Sequence, residues 1–119
     1  MISDLISKLQ NSLKKEKIPM RLRETSASEF WIESLDNSLV ARFLVDADAQ
    51  EMIYDIFSTE YDVHLKEETL RDVEKIDFLA EEHKKWKIAE AAEDLWIILD
   101  EIKMWARNNS FRVKEKKII

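Results

Sequence analysis

The sequence predicts an α+β domain: an N-terminal helix, a three-stranded antiparallel sheet, then two or three helices ending in a long, largely buried one. Three observations carry that prediction. Apolar residues recur at steps of three and four near both ends of the chain, the spacing of a helix face. Between residues 20 and 45 they alternate at steps of two, the spacing of a half-buried strand. Glycine is absent and Pro19 is the only proline, so little punctuation limits the length of helices. A hydrophobic share of 45% beside a charged share of 37% describes a globular chain with a heavily charged surface. At 119 residues it is long enough for one core but not for two.

The first helix spans about Ser3 to Glu16 with Ile2, Leu5, Ile6, Leu9 and Leu13 on one side. Ser3 stands where a cap would, and Lys14, Lys15 and Lys17 suit the negative end of the helix dipole. Pro19 biases Ile18 towards extended geometry, and Met20–Glu24 then reads as a short edge strand. Residues 29–34 and 39–45 are the strongest strands, flanking an Asp36-Asn37 turn signal, with Phe30, Ile32, Ala41, Phe43 and Val45 facing the core. Without glycine, turns that need a positive φ fall to asparagine or aspartate.

Asp48-Ala49-Gln50-Glu51 has the pattern of a capping box, and Ala49, Met52, Ile53, Ile56 and Phe57 have helical spacing, which predicts a helix over 48–58. Residues 60–65 follow as a short strand or extended connector. A further helix is expected over 67–82, with Leu70, Val73, Ile76, Leu79 and Ala80 inward. The polar run from Glu81 to Lys85 shifts the phase without an obligatory breaker, so 66–108 reads either as two helices or as one bent helix. The last helix, Trp86–Asn108, is the most apolar: Ile88, Ala92, Leu95, Leu99, Ile102 and Ala106 form its seam. Trp96, Ile98, Trp105, Ile97 and Met104 widen it. A helix apolar over more than half its circumference has to be covered from two sides. The domain is expected over 1–110, with 111–119 a basic tail or a short strand.

Several function classes are excluded. No cysteine means no disulfide, no thiolate metal site and no cysteine nucleophile. No glycine means no P-loop, no dinucleotide fingerprint and no Gly-x-Ser-x-Gly elbow. Neither His64 nor His83 stands three residues after a glutamate, so the Glu-x-x-His arrangement of a di-metal bundle is missing. No catalytic residue, metal site or cofactor is assigned, and an enzyme is not expected. Met1-Ile2-Ser3-Asp4 opens no signal-peptide pattern and no segment approaches the roughly 20 apolar residues of a membrane span. A cytoplasmic protein without a membrane partner is the expectation.

The net charge of −6 is segregated. Residues 1–23 hold six bases and two acids, residues 24–82 seventeen acids and four bases, and residues 83–119 nine bases and six acids. Such a field steers a basic partner. The candidate partner-binding residues are Asp48, Glu51, Asp55, Glu60 and Asp62, the first three at i, i+3 and i+7 on the predicted 48–58 helix. A row of this kind can imitate phosphates and occlude a basic nuclease or nucleic-acid-binding site. Its plain alternative is a solvated face.

Trp86, Trp96, Ile97 and Trp105 are candidates for a homodimer interface, since a chain this small has difficulty covering them all. The basic stretches 14–23 and 107–117 could grip phosphates, although the acidic middle opposes direct nucleic-acid binding. In its order of helix, meander sheet and helices, the short acidic chain resembles several kinds of phage-encoded inhibitor, toxin immunity protein and secretion chaperone. That is a likeness of layout with no diagnostic motif. It implies a protein-binding module, with a homodimeric scaffold or chaperone as the alternative and a nucleic-acid binder behind both.

Overall fold

The computed structural model describes residues 2–76 and 82–118. Helix α1 (Ile2–Lys15) buries Leu5, Ile6 and Leu9, and it begins one residue before Ser3, which therefore lies inside it. Its C-terminal end is a Schellman motif: the Ile18 N–H donates to the Leu13 carbonyl (3.0 Å) and the Lys17 N–H to that of Lys14 (3.3 Å). Lys17 takes the left-handed conformation this motif demands, with φ 52.

Four strands follow as an antiparallel meander: β1 (Met20–Ser26), β2 (Glu29–Ser34), β3 (Val40–Asp46) and β4 (Glu51–Ser58). Among the described residues the sheet has six strands, not three, because β4 is a strand and two short ones share its far side. Strand β5 (Val63–Leu65) runs antiparallel along Ile56–Ser58, and β6 (Arg112–Glu115) runs parallel along Glu51–Tyr54. Between β5 and β6 lie α2 (Glu67–Arg71), a 3-10 turn (Val73–Lys75) and the long α3 (Glu82–Asn108). The helix expected over 67–82 thus stops at Arg71 among the described residues, while Leu79 and Ala80 fall outside them.

The largest correction is β4, where a helix was expected. Met52, Tyr54 and Ile56 point into the core at strand spacing, while Glu51, Ile53, Asp55 and Phe57 point the other way. Ile53 and Phe57 are apolar on the uncovered face, so the strand's period of two is blurred. The apparent capping box is the β3–β4 hairpin loop: Asp46, not Asp48, accepts a backbone hydrogen bond, from Ala49, and Gln50 has φ 51. Asn37 and Asp62 supply positive φ in two other turns as expected, whereas Lys17, Gln50 and Ser110 do so against their residue type.

Helices α1 and α3 lie on one side of the sheet and share a core with it. Phe30, Phe43 and Tyr54 are register partners across β2, β3 and β4 and stack there, with centroids 4.7 and 5.6 Å apart. The seam of α3 from Ile88 to Ala106 is buried, including Leu95, Leu99 and Ile102. Helix α3 also ends in a Schellman motif, with Phe111 N–H donating to Ala106 and Ser110 (φ 60) in the left-handed position. Phe111 is buried against Trp105, centroids 5.3 Å apart. No described helix covers the other face of the sheet, which carries Trp31 between the guanidinium groups of Arg23 and Arg42. None of the described helices is long and apolar enough to cross a membrane.

Candidate functional site

The five carboxylates singled out by sequence do not share a face. Asp48 sits in the β3–β4 loop, Glu60 and Asp62 in the β4–β5 turn, at the opposite end of an eight-residue strand. Glu51 and Asp55 do point the same way from β4, but both are occupied. Glu51 pairs with Arg112 of β6 (3.4 Å). Asp55 is buried, 2.9 Å from His64 Nδ1, and accepts the Ile118 N–H at 3.2 Å. A strand's period of two, replacing a helix's 3.6, dissolved the row.

An acidic surface exists elsewhere, on the outward side of α3. Trp86, Ile97 and Met104 are 65%, 48% and 56% exposed, the first two separated by three helical turns and the last two by two turns. At 1.5 Å per residue they define a line about 27 Å long. Glu90, Glu93 and Asp100 are exposed around the same line, and with half-buried Asp94 they make no ion pair or hydrogen bond among the described residues. Burial raises the Asp94 pKa, and the charges of Glu93 and Glu90 add to the effect. The carboxylates there are crowded, and Asp100 lies within the field of the Arg71 guanidinium. Leu35, 58% exposed, projects from the neighbouring β2–β3 loop, which forms a groove with Glu90, Ala91 and Asp94.

The tryptophans sort accordingly. Trp105 is buried in the core and is not available to a partner, contrary to the interface expected for it. Trp96 is half-buried under the Arg71 guanidinium, 4.9 Å from its ring. Only Trp86 and Ile97 of the four expected interface residues are exposed, and Met104 and Leu35 join them. Met104 lies seven residues beyond Ile97, so its place on that line was readable from helical spacing. Leu35 sits in a turn whose direction no local pattern fixes.

Helix α3 is held in place by a polar cluster at its inner edge. Glu67, at the start of α2, accepts hydrogen bonds from Lys103 Nζ (2.8 Å), Tyr54 Oη (2.7 Å) and Arg71 Nη2 (2.7 Å). Its own N–H donates to Glu115 of β6 at 3.0 Å. Four elements therefore meet at Glu67, three of them on its carboxylate and β6 on its backbone, and the outward line of α3 is fixed relative to the sheet.

The basic stretches are partly consumed. Arg21 and Arg23 both pair with Glu33, and Arg112 pairs with Glu51. Among the described residues no cluster of histidine, aspartate and glutamate is arranged to hold a metal ion. Comparison with protein-family models, with curated proteins and with solved structures finds no match to this chain.

Proposed function

We propose that the chain is a non-enzymatic protein-binding module that docks a partner on the outward side of α3. The partner presents apolar anchors set in a basic surface. Support comes from one coincidence: Trp86, Ile97 and Met104 stand exposed on one helix line, interleaved with carboxylates that form no ion pair among the described residues. Interfaces take their energy from a few large apolar anchors, while charge sets the partner and the speed of encounter. In the sharper form, the partner is a nucleic-acid-binding protein, and Glu90, Glu93 and Asp100 occupy positions its basic groove offers to phosphates. The absence of cysteine suits a cytoplasmic setting.

A second copy of the chain is a poorer occupant. Between Trp86 and Ile102 the helix holds five acids and one base, so antiparallel pairing about its middle sets acid against acid. Light scattering on the full chain should give the 14.2 kDa monomer mass. Affinity capture with wild type and with Ile97→Lys/Met104→Lys, identified by mass spectrometry, should return a basic protein on the wild type alone, released by salt. A stable dimer, or the same proteins on both baits, would overturn the proposal.

A further inference from the structure

We infer that the seam where β5 and β6 meet on β4 binds a phosphorylated small molecule, held through its phosphate by His64, Lys66, Lys116 and Lys117. Strand β5 covers Ile56–Ser58 and β6 covers Glu51–Tyr54, so Asp55 is the one residue of β4 opposite neither strand. Beyond the seam the two chains part. After Leu65 the chain enters α2, whose Glu67 bonds the inward-pointing Tyr54. After Glu115 the tail crosses to the open face, where the Ile118 N–H reaches the Asp55 side chain. Divergence of neighbouring segments at a strand end is what opens ligand crevices in sheets. Here it opens a groove of about 380 Å³.

Three lysines line this groove. Of its three carboxylates, Asp55 is engaged with His64 and the Ile118 N–H and Glu115 with the Glu67 N–H and Tyr54, while Glu68 is exposed and faces Lys75 at 3.8 Å. Lys66, Lys116 and Lys117 make no ion pair among the described residues. The buried Asp55 carboxylate can only accept, so Nδ1 of His64 carries a proton and the ring is oriented; in the imidazolium form Nε2–H is then a donor to a ligand oxygen. A buried carboxylate orienting an imidazole is how proteins aim the other ring nitrogen at a target.

Three ammonium groups around an oriented imidazole match the several acceptor oxygens of a phosphate. The groove exceeds a lone phosphate and falls in the usual size range of small-molecule sites. Leu65 gives it an apolar wall for an organic body. A polyanion is disfavoured, since exposed Glu60 and Asp62 stand on the turn leading into β5.

The test uses the full chain titrated with inorganic pyrophosphate, read by calorimetry and by the imidazole ¹⁵N signals of His64. Saturable binding that moves the His64 signals is expected. Lys116→Glu/Lys117→Glu should weaken it by about tenfold or more. Lys14→Glu/Lys15→Glu, with the same change in net charge at the end of α1, should leave it unaltered. Equal weakening by both pairs, unmoved His64 signals, or binding of a short RNA without binding of pyrophosphate would each overturn the inference. The lysine pair is exposed and leaves the Asp55–His64 contact intact, so folding is not at stake in the comparison.

Discussion

Glu67 shows how one side chain can decide a local arrangement. Its burial alone would raise the carboxyl pKa; hydrogen bonds from Lys103, Arg71 and Tyr54 reverse that and hold it at about 2, against an ordinary 4.5. For Tyr54 the same contact works the other way: burial first, then the hydrogen bond to Glu67 and its charge, pushes the phenol far above its usual range. A carboxyl depressed on folding contributes stability at all pH values above its unfolded pKa, and that contribution is lost as pH falls from about 5 through 2. Glu67→Gln should therefore cost about 2 kcal/mol in urea unfolding at pH 7, since it weakens hydrogen bonds to charged donors. The gap between wild type and variant should narrow at pH 3. A gap that did not change with pH would mean the carboxylate charge is not what holds the cluster. Phe43, fully buried between Phe30 and Tyr54, tests the apolar counterpart. Phe43→Ala should cost about 3–5 kcal/mol by the same assay.

At the scale of the element, two helices end in the same motif without the residue that usually closes it. Lys17 and Ser110 occupy left-handed positions, where a Cβ costs on the order of 1–2 kcal/mol and glycine costs nothing sterically. Part of that gain is offset by the greater freedom of glycine in the unfolded chain. Lys17→Gly and Ser110→Gly should each stabilise by about 0.5–1 kcal/mol, visible as a Tm higher by a few degrees. An unchanged Tm would show that the backbone there carries no such strain.

The strands and helices differ in how far they were legible. Phe30, Ile32, Ala41 and Phe43 alternate cleanly because β2 and β3 present one face to the core. The α3 seam was legible because its spacing persists for more than five turns. Strand β4 was not, because Ile53 and Phe57 are apolar on the open face and complete a false helical stripe with Met52 and Ile56. The β6 pairing joins residues more than fifty positions apart, and local spacing does not encode which strand a terminal segment will find. The acidic candidate site failed with β4, since its geometry rested on the wrong period. Trp86 and Ile97 survived as exposed residues because the helix that carries them was read correctly.

For the whole molecule, the distribution of charge matters more than its total. The N-terminal segment and the tail bring bases that pair with acids of the sheet, as Arg21 and Arg23 do with Glu33 and Arg112 with Glu51. Such pairing leaves Glu90, Glu93, Asp94 and Asp100 without an ion pair among the described residues, on the side of α3 turned away from the sheet. If that side is a docking face, its residues serve binding and not folding, and the two can be separated. Ile97→Glu and Met104→Glu should shift stability by no more than about 0.5 kcal/mol, as exposed positions do. Each should nonetheless abolish partner capture, because the lost contact lies at the apolar centre of the interface. Glu90→Lys/Glu93→Lys should behave differently. It slows association while leaving the anchors in place, and it removes most of the salt dependence. In wild type, raising salt from about 0.05 to about 0.5 M shortens the screening length several-fold and should slow capture steeply. Association rates measured by surface plasmon resonance at both salt concentrations separate these terms. A wild-type rate indifferent to salt would mean that the carboxylates of α3 are merely solvated and that the apolar line alone selects the partner.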